Sequence, residues 1–225
     1  MPWAVRPVLG AMMPAVHEPD DRWDAALDAA GAHRGDRFAA FADLVARHEV
    51  PGRHHHDFDH TSGVVDVVLG LHTPGDDWAV AVLAAWYHDA VYDPTAPAGA
   101  NEGASAVVAH DALSALGVTL TALGAVCRLV CLTATHLPAP TDRAGAVLCD
   151  ADLSILGADE ERYDAYVAGV RAEYAHVADD DWRTGRRAVL RSFLDRPTIF
   201  HTHAGRDRWE AAARSNISRE LESLT

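Results

Sequence analysis

The sequence predicts an all-α protein, a helical bundle of about eight to ten helices. Apolar residues recur with helical periodicity almost everywhere after Asp20, whereas convincing period-two alternation, the mark of strands, does not occur. Clusters of Gly and Pro separate the periodic segments, at 51–53, 73–77, 93–100 and 137–142. The predicted helices are, in order, 21–31, 36–48, 58–71, 77–92, 102–117, 119–136, 143–156, 160–177, 181–195 and 205–223.

The length of the chain predicts one domain. With 225 residues and 49% hydrophobic content, it can bury a single sizeable core over residues 21–225. Residues 1–20 form an N-terminal extension that is broken by prolines and can be disordered. The longest apolar run, Trp78 to Tyr87, is far below the roughly 18 residues of a membrane span, so we expect a soluble protein with no membrane partner. Whether it forms a homo-oligomer stays open.

The composition excludes several classes of function. A formal net charge of −14 argues against a nucleic-acid partner, because binding to a phosphodiester polymer requires clustered Lys and Arg. All 19 basic residues are arginine, and the absence of lysine excludes a P-loop and Schiff-base chemistry. The three cysteines have no CxxC spacing, which fits a reducing cytoplasm better than a disulfide framework or a thiolate zinc site.

Several predicted helices carry a histidine or a carboxylate on the face that should be buried. In helix 58–71, His60 shares the apolar stripe with Val64 and Val68. Helix 77–92 is apolar all round and contains His88 followed at once by Asp89. An unpaired buried carboxylate would cost several kcal/mol or take up a proton, and a divalent cation would remove that penalty.

Further polar residues follow the same pattern. Asp152 lies on the inner face of helix 143–156, whereas Asp150 points to nearly the opposite side. His136 continues the apolar stripe of helix 119–136. Asn101 is a plausible N-cap for the predicted helix 102–117, in which Glu102 lies on a face of small residues.

Taken singly, each of these residues has an ordinary explanation, because a lone inward histidine is more often a hydrogen-bonded core residue than a ligand. Taken together, imidazoles and carboxylates on the inner faces of successive helices are what a metal site in a helical bundle requires. Within the stretch RHHHDFDH, we expect His60 to be the ligand and His56, one turn earlier, to be its neighbour. His54 and His55 are expected to face solvent.

The order His60, His88-Asp89, Asp152 resembles the HD superfamily of metal-dependent phosphohydrolases. HTSGV, WYHDAVYD and DADLSILG look like the motifs of that superfamily. RHHHDFDH, NEGASA, LTATH, DADLSILG and VRAEY are more narrowly similar to a bacterial subgroup of predicted HD-type phosphohydrolases, over residues 20–222. The chain departs from that subgroup at His55-His56-Asp57, where the subgroup usually has Tyr-His-Asn.

The resemblance implies an HD-domain-like bundle with a metal-activated water that hydrolyses a phosphate ester of a small metabolite or nucleotide. It implies one divalent ion, or two, and a mixed N/O ligand set suits Mn, Fe, Co, Ni, Zn or Mg. The implied metal ligands are His60, His88, Asp89 and Asp152. Asp89, Glu102 and His136 are the implied catalytic residues, and His56, Glu102 and His136 could hold a second metal or act from the second shell.

A substrate with a phosphate group needs local positive charge in so acidic a protein. Arg53, beside the His cluster, and Arg171 with Tyr174, in VRAEY, are the predicted substrate-binding residues; a surface ion pair or a core ring is the alternative for each. Arg186, Arg187 and Arg191 are expected to form a solvated helix face. Loop 93–100 is a candidate rim of the site, or an ordinary connector.

Two other functions stay open at this point. Some proteins of the HD type bind two irons and oxidise their substrate with O₂, and the six candidate ligands are enough for that chemistry. A non-catalytic metal-binding domain that senses a nucleotide is the third reading, although no expected ligand is missing.

Overall fold

The computed structural model describes residues 20–73 and 77–225, so the predicted extension lies, apart from Asp20, outside the described residues. Every regular element within these ranges is helical and none is a strand, which confirms the all-α prediction. In chain order the helices are α1 (Asp21–Ala29), α2 (Arg37–His48), α3 (Phe58–Leu71), α4 (Trp78–Tyr87), α5 (Ala100–Ala115), α6 (Leu120–Leu132), α7 (Arg143–Asp152), α8 (Glu160–Glu173), α9 (Asp179–Leu194), α10 (His203–Gly205) and α11 (Ala211–Ser223). A 3₁₀ turn (Leu153–Gly157) follows α7, and a π-helical segment (Arg206–Glu210) joins α10 to α11. None of the helices in the described ranges is both long and apolar enough to cross a membrane.

Helix α4 is the central helix of the bundle. All its residues from Ala79 to Tyr87 are buried, and α1, α3, α5, α6 and α7 pack around it. An apolar surface on every side is the pattern of a fully buried helix. The C-terminal end of α4 therefore delivers the residues that follow it, His88 and Asp89, to the interior.

A second apolar cluster is built by the C-terminal half of the chain. It contains Tyr163, Leu190, Phe200 and Ile217, among others. Two residues of α3, Val67 and Leu71, pack against both this cluster and the larger one around α4. The two cores are thus in contact along one side of α3.

Three of the helices whose bounds differ from the prediction, α4, α5 and α6, carry or border candidate site residues. Helix α4 ends at Tyr87, five residues before the predicted position 92. Pro94, which follows shortly after, disfavours the α conformation at the residue before it. Helix α6 ends at Leu132 instead of 136, and His136 has a left-handed φ of 51°. Helix α5 begins early, after Gly99 with φ 79°, so the prediction of Asn101 as N-cap was wrong. The Asn101 side chain instead hydrogen-bonds to both backbone groups of Asp93, at 3.0 Å each.

The π-helical segment docks on the 3₁₀ turn through a glycine. A Cβ on Gly157 would lie 2.5 Å from the Cβ of Trp209 and 2.9 Å from its Cα. Only glycine allows the two backbones to approach this closely. Gly157 closes the DADLSILG motif, so that motif fixes both the end of α7 and the position of the C-terminal helix.

Candidate metal centre

His60 lies in the first turn of α3, at the bounds that the periodicity predicted. The carboxylate of Asp57 caps this helix and accepts a hydrogen bond from the backbone N–H of His60 at 3.0 Å. The cap fixes the first turn, and the imidazole of His60 points into the bundle with 9% of its side chain exposed.

His88 and Asp89 lie in the turn after α4 and not within a helix, contrary to the predicted helix 77–92. The Nδ1–H of His88 donates to the carbonyl of Ala85 at 2.7 Å. This hydrogen bond leaves the lone pair of Nε2 to face the site, as the neutral ligand form requires. The guanidinium of Arg53 donates to the carbonyls of Asp89 and His56, both at 2.7 Å. It thereby links the turn after α4 to the segment before α3.

Side chains from α3, α7 and the turn after α4 converge in the interior. The Nε2 atoms of His60 and His88 are 3.3 Å apart, and Asp152 Oδ1 lies 3.3 Å from the first and 3.5 Å from the second. Asp89 Oδ2 is 3.1 Å from His88 Nε2 and 3.7 Å from His60 Nε2. His60, His88 and Asp152 thus form a group that could hold a metal ion.

These separations fit one coordination sphere. Two ligand atoms that each lie about 2.1 Å from an ion are about 3.0 Å apart at a right angle and about 3.4 Å apart at the tetrahedral angle. The distances among the donor atoms of His60, His88 and Asp152, 3.3 to 3.5 Å, lie close to this range, and Asp89 Oδ2 lies 3.1 and 3.7 Å from the two imidazole Nε2 atoms. Two imidazoles and two carboxylates also make a donor set suited to a divalent transition metal.

The charges at the centre are mutually dependent. Burial opposes the charged form of His88, but Asp89 and Asp152 outweigh burial and raise the pKa of His88 well above its usual value. Burial likewise raises the pKa of Asp89 and of Asp152, yet His88 and its neighbours lower both below the usual value. Without a cation, a proton on His88 therefore balances the carboxylates.

His136 reaches the centre although it does not lie on α6. Its Nε2–H donates to Asp152 Oδ2 at 2.7 Å, while the other oxygen of Asp152 faces His60 and His88. The left-handed backbone at His136 is costly for a residue with a Cβ, which indicates that surrounding contacts hold it there. One such contact is the hydrogen bond from His201 Nε2 to the carbonyl of His136, at 2.9 Å.

Asp150 points away from Asp152, as predicted, but it is fully buried. Its carboxylate accepts hydrogen bonds from the backbone N–H groups of His201 and Thr202, at 2.6 and 2.8 Å, and from the Thr202 hydroxyl. Two different faces of α7 therefore serve two purposes: one faces the candidate metal centre and the other holds the segment before α10.

A buried glutamate that the sequence analysis missed organises the His cluster. Glu173 Oε1 accepts the consecutive backbone N–H groups of His54, His55 and His56 at 2.8 to 3.0 Å. Its Oε2 accepts from His56 Nδ1 at 2.7 Å and from the Tyr92 hydroxyl at 3.0 Å. Burial alone would lower the pKa of His56, but the Glu173 carboxylate outweighs burial and raises it.

The two earlier histidines differ in their surroundings. His54 is exposed, as predicted. His55 is partly buried, which corrects the prediction that it faces solvent: its ring lies 4.5 Å from the ring of His60 and 4.6 Å from that of Tyr166. Burial lowers the pKa of His55 to about 2, so it is a neutral imidazole at pH 7. The position where the resembled subgroup has an aromatic residue thus makes ring contacts here as well.

A cavity of about 530 Å³ opens onto the centre. Loop 93–100 forms part of its rim, as predicted, and its walls include the aromatic rings of Tyr92, Tyr174 and Trp182. The predicted site residues that line it are His56, Asp89, Glu102, His136, Asp152 and Tyr174.

The two predicted substrate-binding arginines are engaged elsewhere. Arg53 donates to the carbonyls described above. Arg171 donates to the carbonyls of Tyr174 and Val177 and pairs with Asp179 at 2.6 Å. Neither is among the residues that line the cavity, and a role in substrate binding stays a prediction for both.

Arg186 was expected on a solvated face, and this expectation was wrong. Only 7% of the residue is exposed, and its guanidinium pairs with Glu220 at 2.7 Å and donates to the Tyr166 hydroxyl at 3.1 Å. Arg186 is also the arginine among the residues that line the cavity. The periodicity of α9 did not reveal this because the partner of Arg186 comes from α11, 34 positions later in the chain.

No protein-family model, curated protein or solved structure matches this chain. The likeness to the HD superfamily therefore stays a prediction. The basis for a function is the geometry of the site itself.

Proposed function

We propose that the protein is a metal-dependent phosphohydrolase that acts on a phosphate ester of a small metabolite or nucleotide. The observation that carries the proposal is the convergence of His60, His88 and Asp152, whose donor atoms have the separations of ligands around one ion, with Asp89 Oδ2 3.1 Å from His88 Nε2. A divalent cation there would lower the pKa of a bound water towards neutrality and offset negative charge on a phosphoryl oxygen.

The residues of the chain would have distinct parts in this reaction. Asp89 is ionised at neutral pH, because its pKa lies below the usual value, and it lines the cavity, so it can accept a hydrogen bond from the attacking water. His136 orients Asp152 through their hydrogen bond. Glu102, which lines the same cavity, is the candidate for proton transfer to the leaving oxygen.

The cavity walls support an organic substrate larger than phosphate. Rings of Tyr92, Tyr174 and Trp182 provide flat apolar surfaces on which a base or another ring can pack. Arg186 and His56 lie beside these rings as hydrogen-bond donors, and Glu220 and Glu173 hold their side chains in place.

Metal content and turnover test the proposal together. The purified protein is analysed for bound metal, stripped with a chelator, reloaded separately with Mn, Fe, Co, Ni, Zn and Mg, and assayed on a panel of phosphate esters. His88→Ala and Asp152→Ala should bind less metal and lose at least about 100-fold in kcat/KM, more than the loss of an outer-sphere partner.

His110→Ala is the matched control, because His110 is exposed and pairs only with Asp111 in the described part of the chain. It should retain both metal and turnover. Full activity in His88→Ala, or no hydrolysis by the wild type with any of the metals, would contradict the proposal.

A di-iron oxygenase is the second candidate, and one observation favours it. The two oxygens of Asp152 face different histidines, Oδ1 towards His60 and His88 and Oδ2 towards His136, which is the arrangement of a carboxylate that bridges two ions. Two irons per chain together with substrate-dependent consumption of O₂ would favour this function. A nucleotide that binds but is neither hydrolysed with any of the metals nor oxidised with iron and O₂ would favour the non-catalytic sensor.

A further inference from the structure

A second cavity, of about 420 Å³, lies on the other side of Asp152 and Tyr166, which border both cavities. His55 and His60 line it, whereas Asp89, Glu102 and His136 line only the first. The proposed hydrolysis uses the first cavity and leaves the second without a role.

The second cavity contains two arginines that are not neutralised. Most arginines of the described ranges bind a carboxylate or a carbonyl, as Arg53, Arg171 and Arg186 do. The guanidinium groups that make neither a hydrogen bond nor an ion pair within residues 20–73 and 77–225 are those of Arg162, Arg187, Arg191 and Arg208. Arg162 and Arg208 line this one cavity. In a chain with a net charge of −14, two arginines without an ion-pair partner at one cavity are unusual.

The fold places these arginines from two separate elements. Arg162 lies in the first turn of α8, and Arg208 lies in the π-helical segment, whose position depends on the close approach of Gly157 to Trp209. Such π-helical insertions occur frequently at functional sites. The ring of Trp209 lies under Arg208, 5.0 Å from its guanidinium carbon, and restricts where that side chain can point.

The other residues that line the second cavity are compatible with a bound anion. Val64, Val67 and Ile155 form an apolar wall, which strengthens the interaction between charges close to it. Among the acidic residues of the lining, Asp57 accepts the N–H of His60, and Asp152 faces the imidazoles of the metal centre. Asp59 is the remaining carboxylate, and it is exposed.

We propose that this second cavity is an oxyanion site, in which Arg162 and Arg208 together bind a phosphoryl group separate from any group at the metal centre. Guanidinium groups match the oxygens of a phosphoryl group with paired hydrogen bonds. The group can be free phosphate or a terminal phosphate of a larger ligand. This inference does not depend on hydrolysis, because the arginines are present whether or not a cation is bound.

Inorganic phosphate is the first probe, and the metal-free protein is the first sample. Isothermal titration calorimetry should show saturable binding of phosphate that weakens as salt is added, because the interaction is between partly exposed charges. The double variant Arg162→Gln/Arg208→Gln should bind phosphate about tenfold more weakly or worse, since each substitution removes a charge-assisted hydrogen bond. Both side chains are on the surface, and circular dichroism checks that the variant is folded.

Arg183→Gln/Arg191→Gln is the matched control. It removes the same charge from exposed residues of α9 that line neither cavity. Unchanged phosphate affinity in this control, with the loss confined to the first double variant, supports the site. Equal losses in both would mean that net charge alone governs binding, and this would overturn the inference, as would the absence of phosphate binding by the wild type.

A second readout identifies the residues and separates the two sources of the group. Phosphate should protect Arg162 and Arg208 from the arginine reagent phenylglyoxal, as measured by mass spectrometry of peptides; no protection would overturn the site. ADP is then compared with phosphate: tighter binding of ADP indicates a terminal phosphate of a larger ligand, and equal or weaker binding indicates free phosphate. Phosphate that binds only after Mn²⁺ is added, with full affinity in Arg162→Gln/Arg208→Gln, would overturn this site and leave the proposed hydrolase intact.

Discussion

At the scale of single residues, the metal centre depends on which imidazole nitrogen is free. The carbonyl of Ala85 takes the Nδ1–H of His88, so Nε2 is the atom that faces Asp89 and Asp152. An adjacent His-Asp pair in a sequence does not reveal this. The tautomer follows from the hydrogen bond to the carbonyl of Ala85, three residues earlier. This carbonyl lies in the last turn of α4, which ends at Tyr87.

We predict that metal affinity rises with pH. In the metal-free protein the pKa of His88 is raised well above its usual value, so at pH 7 the imidazole holds a proton that a cation must displace. The apparent affinity for Mn²⁺ should increase about tenfold per pH unit for each proton released, until the pH passes the folded-state pKa of His88. Calorimetry in two buffers with different ionisation enthalpies counts the protons. An affinity independent of pH between 6 and 8 would be incompatible with His88 as a ligand.

Glu173 sets the charge of His56, and its removal should be measurable at that residue. Glu173→Gln removes the hydrogen-bonded carboxylate that opposes burial and leaves only the more distant Asp89 and Asp152, so the pKa of His56 should fall, as followed by NMR titration. The raised pKa stabilises the wild type below the unfolded-state pKa of about 6.5, and this contribution is lost as the pH rises through the folded-state value. This pH dependence should be weaker in the variant.

The same substitution should also destabilise the fold. A buried carboxylate that accepts three backbone N–H groups is replaced by an amide that cannot accept as strongly, so we expect a loss of about 2–4 kcal/mol in urea denaturation. Glu161→Gln, on the exposed side of the same helix, is the control and should change little. Equal stability of both variants would show that Glu173 does not hold the His loop.

At the scale of elements, one face of α8 holds the loop before α3. Gly169 and Glu173 are one helical turn apart on that face, and a Cβ on Gly169 would lie 2.8 Å from the carbonyl oxygen of His54. The loop therefore packs directly on the helix backbone. The four-residue spacing of Gly169 and Glu173 is visible in the sequence. Nothing in the sequence indicates that this face of α8 packs against the His cluster.

Gly169→Ala should therefore destabilise the protein although alanine favours helices. The added methyl group meets a backbone atom that cannot move without displacing His54 to His56, and we expect a loss of about 1–3 kcal/mol by thermal or urea denaturation. Gly124→Ala in α6 is the control: no atom lies within 4 Å of its Cβ, so it should gain about 0.5–1 kcal/mol. A gain in both variants would mean that the loop does not rest on Gly169.

The ends of the helices were the least predictable feature at this scale. The periodicity located α1 to α9 and gave the bounds of α3, but it merged α10, the π-helical segment and α11 into one helix, 205–223. It extended α4 and α6 too far, because the residues beyond both ends continue the apolar pattern. At the end of α4 the His88 side chain donates to the carbonyl of Ala85, and Arg53, 36 positions before Asp89, donates to the Asp89 carbonyl in the turn that follows.

At the scale of the whole molecule, the two apolar clusters test the prediction of a single domain. If they form one cooperative unit, Leu83→Ala in the first and Leu190→Ala in the second should both lower one common transition in calorimetry, each by about 2–5 kcal/mol. Leu120→Ala, at a residue that is 86% exposed, should change stability by less than about 0.5 kcal/mol. Two transitions, each sensitive to only one of the core variants, would indicate two domains.

The sequence by itself determined the helical class and brought His60, His88 and Asp152 together as candidate ligands. Local periodicity predicted that these polar residues face the interior, and the resemblance to the HD superfamily implied that they act together as ligands. The tertiary structure decided the roles of Glu173, Arg186 and the second cavity. Their partners lie 117, 34 and more than 40 positions away in the chain, and hydrogen bonds over such separations follow from how the helices pack, which no local pattern encodes.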